Sequence, residues 1–198
     1  MYRAGAAESP VILALHGTGG TEEDIAPLAT ALDPAAGVIA PRGRVRERGM
    51  PRWFRRHGEG VFDVDDIIAR AGALASFIEA ARAHHAWGSR PLVAVGFSNG
   101  ANIALATAML HPATLDRVIA FSGMYPFAER DEAVDLDGVR VVTLNGRADP
   151  MAPLASVTRL VETLRARGAD VEQHLRPGGH GITEGDLEIA RTALRRLA

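Results

Sequence analysis

The chain has 198 residues with 22 basic and 24 acidic side chains, and its formal net charge of −2 at pH 7 argues against nucleic acid as the main partner. It contains no cysteine, which excludes disulfides, thiolate nucleophiles and zinc–thiolate sites. No apolar run approaches the roughly 18 residues of a membrane span, and no charged segment precedes an apolar one at the start. We therefore expect a single domain over residues 1–198 in the cytoplasm, with no membrane partner.

Short apolar runs alternate with amphipathic stretches along the chain. Strands are predicted over six runs, namely 11–15, 38–40, 92–97, 118–121, 139–144 and 171–175. Helices are predicted between them, over about 22–32, 63–87, 101–110, 154–167 and 184–197. The first ten residues carry at most an edge strand. This alternation predicts the α/β class, with a mainly parallel sheet of about six strands and helices on both faces.

Two connections stand out by their length. The stretch 42–62 has no periodic pattern, and seven arginines lie between Arg42 and Arg56. These arginines either attract an anionic part of a substrate or form a solvated charged surface, and the sequence leaves both readings open. The connection 123–138 has only about 16 residues, too few for a cap domain, so we expect an open cleft.

A serine lies at the turn between the strand 92–97 and the helix that follows it. The sequence there is Gly96-Phe97-Ser98-Asn99-Gly100. A serine on such a turn presents its hydroxyl next to a helix N-terminus, and glycines two residues to either side avoid a collision of Cβ atoms with the neighbouring strand and helix. Ser98 is therefore the candidate nucleophile.

A serine hydroxyl needs a histidine base, and the base needs an orienting carboxylate. Reactive groups in open α/β sheets lie beyond the carboxyl ends of the strands. Asp149 follows the strand 139–144, and His180 follows the strand 171–175 in a glycine-rich loop. The order Ser98, Asp149, His180 is that of the α/β-hydrolase fold. We predict these three residues as a catalytic triad.

Acyl transfer also needs hydrogen-bond donors for the oxyanion that forms on the substrate. One expected donor is the backbone N–H of Asn99, the residue after the nucleophile. The other is expected from the loop 16–20 after the first long strand, and the backbone N–H of Thr18 is the predicted donor. The alternative for this His-Gly-Thr-Gly-Gly run is an ordinary tight turn from strand to helix.

The motifs at these positions resemble those of the phospholipase/carboxylesterase family of α/β-hydrolases, which includes acyl-protein thioesterases. The resemblance is carried by residues 15–22 (LHGTGGTE), 49–56 (GMPRWFRR), 96–102 (GFSNGAN), 145–150 (NGRADP) and 178–180 (GGH). It is closest to small bacterial members described as hydroquinone-responsive hydrolases. The resemblance implies an α/β-hydrolase fold, Ser98, Asp149 and His180 as the triad, Thr18 and Asn99 as oxyanion donors, and a homodimer like those that relatives often form. The predicted mechanism itself requires no metal and no organic cofactor.

The predicted function is hydrolysis of small soluble carboxylic esters or thioesters through an acyl-enzyme intermediate, so a small-molecule ester is the expected partner. Predicted substrate-binding residues are apolar side chains near the expected cleft: Trp53, Phe54, Met124, Met151 and Ile182, with Tyr125 and Phe127 as further wall candidates. Met151 stands where many relatives have isoleucine.

Three alternatives remain. A dienelactone-hydrolase-like enzyme would act on aromatic breakdown products, but that class usually uses cysteine. A non-catalytic binding protein on the same scaffold would often lack the histidine or the oxyanion loop. An oxygenase acting on hydroquinones would need a cluster of iron ligands, and the sequence shows no clear one.

Overall fold

The computed structural model describes residues 1–130 and 133–198. Its centre is a sheet of seven strands: β1 (Tyr2–Arg3), β2 (Val11–Leu15), β3 (Gly37–Ile39), β8 (Leu92–Phe97), β9 (Arg117–Phe121), β10 (Arg140–Gly146) and β11 (Asp170–Arg176). Their order across the sheet is β1-β3-β2-β8-β9-β10-β11. All neighbouring pairs are parallel except β1 with β3. The six predicted strands are confirmed, and the short edge strand β1 is the seventh.

Five helices cover the two faces of this sheet in the described ranges. They are α1 (Glu22–Leu32), α2 (Val64–His84), α3 (Asn99–Leu110), α4 (Leu154–Ala166) and α5 (Glu184–Leu197). One apolar cluster joins α2, α3 and α4 to the sheet, and a second cluster joins α1 and α5 to the other face. The predicted layering, with helices on both faces, is confirmed. None of these helices combines the length and apolarity needed to cross a bilayer.

The strand β2 shows why the sheet is buried from both sides. All five of its residues are buried, with Leu13 and Leu15 in the first cluster and Ile12 and Ala14 in the second. Alternate side chains of a strand point to opposite faces, so a continuous apolar run fits a strand covered by helices on both sides. Catalytic groups can then lie only where the strands end.

The stretch 42–62 is not an unstructured loop, which corrects the sequence-based expectation. It contains two antiparallel hairpins, one of β4 (Val45–Glu47) with β5 (Met50–Arg52) and one of β6 (Arg56–Gly58) with β7 (Val61–Phe62). The first hairpin turns at Arg48 (φ 50°) and Gly49 (φ 84°). A two-residue hairpin turn of type I′ has positive φ at both positions, and arginine is an unusual residue there.

The connection after β9 builds no cap. Among its described residues, 123–130 and 133–138, there is neither helix nor strand. Met124, Tyr125 and Phe127 are nevertheless buried there, so the segment packs onto the body of the protein. The carboxyl ends of the central strands therefore stay uncovered by any extra domain.

Candidate active site

The turn that carries Ser98 is strained in the way the sequence pattern predicts. Ser98 has φ 53° and ψ −115°, and its N–H donates to Phe121 O at 2.9 Å. A Cβ on Gly96 would lie 2.5 Å from Gly100 O, and one on Gly100 would lie 2.0 Å from Leu15 O. Because neither position can hold a side chain, the glycines let β8, α3 and β2 approach closely enough to form the turn.

Asp149 and His180 form a hydrogen-bonded pair. His180 Nδ1 donates to Asp149 Oδ2 at 2.7 Å, and the carboxylate is completely buried. The other carboxylate oxygen accepts from the N–H groups of Met151 at 2.8 Å and Ala152 at 3.2 Å. The carboxylate is thus fixed from both sides, and it fixes the imidazole with Nε2 free for other chemistry.

The two loops that carry this pair pack against each other without room for side chains. Ala148 N donates to Gly178 O at 2.9 Å. A Cβ on Gly146 would lie 2.4 Å from that same carbonyl oxygen. The glycines in both loops therefore bring the ends of β10 and β11 together, which places the carboxylate and the imidazole within one hydrogen bond.

His180 lies beside the end of β8. Its ring centroid is 5.1 Å from that of Phe97, the residue before Ser98. No hydrogen bond joins the Ser98 hydroxyl to His180 in the described part of the chain. Catalytic hydrogen bonds often tighten only when substrate is bound. The structure thus places the predicted base against Phe97, the residue that precedes the predicted nucleophile.

The two predicted oxyanion donors are both unused. Within residues 1–130 and 133–198, neither the N–H of Thr18 nor that of Asn99 donates a hydrogen bond. Asn99 is the first residue of α3, where unpaired N–H groups and the helix dipole favour negative charge. Thr18 lies in the loop after β2. Unpaired N–H groups at the edge of a cleft are suited to receive an oxyanion.

The His16 side chain forms hydrogen bonds on both sides of its ring that hold the start of the Thr18 loop. Its Nε2 accepts from Gly43 N at 3.0 Å and its Nδ1 donates to Gly17 O at 2.7 Å, so the ring is neutral. Burial lowers the pKa of the His16 imidazole below its usual value, and the nearby Arg42 lowers it further. The Glu22 and Asp24 carboxylates raise this pKa, but by less than burial lowers it. The ring thus acts as a fixed support rather than a proton carrier.

Two residues that the sequence does not single out, Arg176 and Ser122, support the His180 loop. Arg176, the last residue of β11, donates to Gly181 O at 2.6 Å and to Asp186 in α5 at 2.7 Å, which ties the His180 loop to the sheet and the helix. Ser122, which follows β9, has a left-handed backbone conformation like that of Ser98. Its φ is 51°, and its N–H donates to Leu144 O in the next strand. Its hydroxyl donates to Gly181 O at 3.4 Å. A single sequence offers no signal for these contacts, because no periodic pattern pairs Arg176 with partners 5 and 10 residues away, and Gly181 lies 59 residues from Ser122.

The predicted substrate-binding residues separate into two groups. Phe54 is fully buried in the core, and Trp53 is 7% exposed with its indole N–H donating to His16 O at 2.9 Å. Substrate contact by Phe54 would require the hairpin region to move, because the side chain has no exposed surface. Met151 is 40% exposed beside the Asp149 loop, and Ile182 is half-buried.

Met124 borders a groove on the protein surface. The groove has a volume of about 500 Å³ and is lined by Gly60, Val61, Phe62, Met124, Tyr125, Pro126, Ala128, Pro153, Ala155, Ser156 and Arg159. Met124 packs on Ala152, whose N–H donates to the Asp149 carboxylate, so one end of the groove approaches the Asp149 loop. A different cavity of about 470 Å³ adjoins Trp53 and contacts none of the predicted triad residues.

Most arginines of the stretch 42–56 have acidic partners. Arg42 pairs with Glu22 and Glu23, Arg52 and Arg56 both pair with Glu47, and Arg55 pairs with Asp63 and Asp66. Pairing cancels much of their charge, so this finding favours a solvated or structural role over attraction of anionic substrates. In the described residues, no three His, Asp or Glu side chains are grouped to hold a metal ion.

Comparison with known proteins adds an independent observation. The sequence profile of the Phospholipase/Carboxylesterase family matches residues 2–198. The chain is 37% identical over 191 residues to the putative hydrolase MhqD of Bacillus subtilis (strain 168), covering 96% of this chain and 94% of that protein. The crystal structure of the Bacillus cereus carboxylesterase is 35% identical, with a TM-score of 0.94 over 100% of this chain and 93% of that one. A carboxylesterase from Mesorhizobium loti is 32% identical, with a TM-score of 0.89 over 98% and 93% of the two chains.

These similarities cover nearly the whole chain, and they agree with the mostly parallel sheet and with the absence of an added cap in its described part. The family inferred from the five motifs is therefore confirmed, and with it a hydrolase of the esterase type. The chain belongs to the phospholipase/carboxylesterase family of α/β-hydrolases.

Proposed function

We propose that this chain is a serine carboxylesterase that hydrolyses small soluble carboxylic esters and thioesters through an acyl-enzyme intermediate. The observation that carries the proposal is the His180–Asp149 hydrogen bond of 2.7 Å at the end of β8, beside a strained serine turn. A buried carboxylate that orients an imidazole next to a serine is the arrangement that makes a hydroxyl nucleophilic.

In this mechanism His180 Nε2 accepts the proton of Ser98 as the Ser98 oxygen bonds to the acyl carbon. Asp149 keeps the proton of the imidazole on Nδ1 and stabilises the imidazolium that forms. The N–H groups of Thr18 and Asn99 donate to the oxyanion of the tetrahedral intermediate. His180 then returns its proton to the leaving alcohol or thiol, which departs as the carbonyl reforms.

Release of the acid repeats the same steps with water. His180 removes a proton from water as the water oxygen bonds to the acyl carbon, and it returns the proton to Ser98 as the ester bond to the enzyme breaks. The His180 imidazole accepts and returns the proton in both halves of the reaction. No cofactor or metal is part of this scheme.

The expected substrates are small because the site is an open cleft with a modest apolar groove. The groove of about 500 Å³ has room for a short acyl or alcohol group and is walled by Met124 and Tyr125. No domain covers the site in the described residues, so nothing there shields a long lipid chain from water. Both features favour soluble esters over aggregated lipids.

A chain-length series of p-nitrophenyl esters beside acyl thioesters tests the proposal. We expect saturable hydrolysis with the highest kcat/KM for short acyl chains, and none in Ser98→Ala. Hydrolysis that persists in Ser98→Ala would contradict the mechanism. Absence of turnover with every ester, despite a folded wild-type chain, would support a non-catalytic binding protein instead.

A further inference from the structure

The segment from Gly43 to Trp53, which we call the clamp segment, contacts the Thr18 loop at several points. Gly43 N donates to His16 Nε2 at 3.0 Å, and Pro51 O accepts from Gly19 N at 2.9 Å. Trp53 Nε1 donates to His16 O at 2.9 Å. The clamp segment thus holds the Thr18 loop at both of its ends.

Arg52 adds a contact to Thr18 itself. Its guanidinium donates to Thr18 Oγ1 at 2.8 Å and to Phe54 O at 3.3 Å, and it pairs with Glu47 at 3.2 Å. The Arg52 side chain is only 3% exposed. A buried guanidinium is costly unless its donors are used, so these three partners define one position for it.

These contacts fix the peptide planes on both sides of Thr18. The carbonyl of the Gly17–Thr18 peptide accepts from His16 Nδ1 at 2.7 Å, and the N–H of the Thr18–Gly19 peptide donates to Pro51 O at 2.9 Å. A peptide group is planar, so a fixed carbonyl also fixes the direction of the N–H in the same plane. The unused N–H of Thr18 is therefore aimed by its neighbours.

The clamp segment also contacts the residue that carries the second oxyanion donor. Trp53 N donates to the side-chain Oδ1 of Asn99 at 2.8 Å. One short stretch of chain thus touches both residues whose backbone N–H groups are expected to bind the oxyanion. These residues are 81 positions apart in the sequence, and they are not hydrogen-bonded to each other.

We propose that the clamp segment sets the geometry of the oxyanion hole, with Arg52 as the positioning residue that holds Thr18 through its hydroxyl. The proposal rests on the proposed serine esterase function. The arginine-rich stretch would then have a structural role in catalysis, and this role requires no contact between the arginines and the substrate. Arg52 acts only through Thr18, and its effect appears in the transition state, where the oxyanion carries charge.

The test compares variants that break the bond from either end. Thr18→Val removes the hydroxyl and keeps the backbone N–H and nearly the same shape. Arg52→Met removes the guanidinium and keeps an apolar stem in the buried space. We expect each to lower kcat per titrated active site by about tenfold to a hundredfold with little change in KM, as expected for a misplaced catalytic group. Thr18→Ser, which restores an acceptor hydroxyl, recovers most of that loss.

Three further readouts separate positioning from general damage. Active sites are counted by fluorophosphonate uptake, so misfolded protein does not enter kcat. The affinity of a trifluoromethyl ketone, whose adduct carries an oxyanion, falls by the same factor as kcat/KM in each variant. The double variant Arg52→Met/Thr18→Val loses no more than either single one, because both changes remove the same bond.

Arg195→Met is the matched control. Arg195 lies in α5, outside the clamp segment, is exposed and donates to Thr192 Oγ1, so its removal leaves kcat within about twofold of wild type. Normal kcat per titrated site in Thr18→Val and Arg52→Met, or additive losses in the double variant, would overturn the clamp proposal alone. A wild-type chain that takes up no fluorophosphonate would overturn the esterase proposal and the clamp together.

Discussion

The backbone of Ser98 lies in the left-handed region, with φ 53°. For a residue other than glycine, such a conformation costs on the order of 1–3 kcal/mol and persists only where the surroundings enforce it. Here the N–H of Ser98 is held by Phe121 O, and the flanking glycines allow β2, β8 and α3 to close around the turn. The strain sits at the residue that the mechanism needs to expose.

Asp149 is expected to act through the tautomer of His180. In Asp149→Asn an amide faces Nδ1, which favours the imidazole with its proton on Nε2, and that form cannot accept the Ser98 proton. We expect kcat to fall by about 10⁴-fold with little change in KM, measured with a short p-nitrophenyl ester.

The control for this variant is Asp137→Asn, which changes an exposed carboxylate in the turn before β10 and should keep wild-type kcat. An Asp149→Asn protein with more than about a tenth of wild-type kcat would show that the carboxylate does not orient the base.

His16 gives a prediction for stability against pH. Burial lowers its pKa below the ordinary 6.5, so the unfolded chain binds a proton at higher pH than the folded chain does. The contribution of neutral His16 is therefore fully present above about pH 6.5 and is lost as the pH falls through the lowered folded pKa. In His16→Gln, whose amide oxygen can still accept from Gly43 N, the free energy of unfolding should fall less steeply on acidification.

Urea unfolding of wild type and His16→Gln at several pH values between about 7.5 and 5 measures this difference. His57→Gln changes an exposed histidine of β6 and serves as the control, which should follow the wild-type slope. Parallel curves for wild type and His16→Gln would contradict the assignment of a neutral, supporting imidazole.

At the scale of elements, the helix α3 depends on close approach to β2. A methyl group on Gly100 would lie 2.0 Å from Leu15 O, which is backbone and cannot move aside cheaply. Gly100→Ala should therefore lower the free energy of unfolding by about 3 kcal/mol or more, since overpacking a rigid site forces backbone shifts. Thermal or urea unfolding monitored by circular dichroism measures the loss.

Gly58→Ala is a suitable comparison, because no atom lies within 4 Å of the added methyl group and the residue lies in a short hairpin strand. Its stability should stay within about 0.5 kcal/mol of wild type. Equal stabilities of the two variants would mean that the serine turn is looser than the structure shows.

The elements that could be predicted from the sequence are those with a local signal. The run Val11–Leu15 is apolar throughout, and the glycines around Ser98 mark a close turn, so the strand and the serine turn were both identified. The loops of Asp149 and His180 follow strands of a parallel sheet, and the structure does bring these two side chains into contact. Alternating strands and helices specify a parallel sheet, and loops that follow neighbouring parallel strands lie at the same edge of that sheet. The positions of Asp149 and His180 follow from this topology.

The hairpins of the stretch 42–62 and the position of Arg52 could not be predicted in this way. The first of the two turn residues in the first hairpin is Arg48 rather than asparagine, aspartate or glycine, so half of the usual turn signal is missing. A buried arginine depends on acceptors at Thr18 and Phe54, which no local pattern specifies. For the same reason Phe54 was expected at the cleft, whereas it is packed in the core.

At the scale of the whole molecule, the cleft is bounded by the Asp149 loop, the segment after β9 and the second hairpin. Met124, which borders the groove, packs on Ala152, whose N–H donates to the Asp149 carboxylate, and Ala155 of α4 is one of the wall residues of the groove. If acyl groups lie in this groove, Ala155→Trp should fill it. We then expect the ratio of kcat/KM for butyrate to that for acetate esters to fall by about tenfold.

Ala166→Trp places the same side chain at an exposed position at the far end of α4, outside the groove, and should leave that ratio unchanged. Both ratios are measured with p-nitrophenyl esters under identical conditions. An unchanged ratio in Ala155→Trp would mean that the acyl group binds elsewhere in the cleft.

The most direct test of the whole account is to find the residue that reacts with a fluorophosphonate. Peptide mass spectrometry of the labelled wild-type chain should place a single adduct on Ser98, and labelling should disappear in Ser98→Ala and slow strongly in a variant of His180. An adduct on any other residue, or undiminished labelling of Ser98→Ala, would contradict the claim that this serine, activated by the His180–Asp149 pair, is the nucleophile.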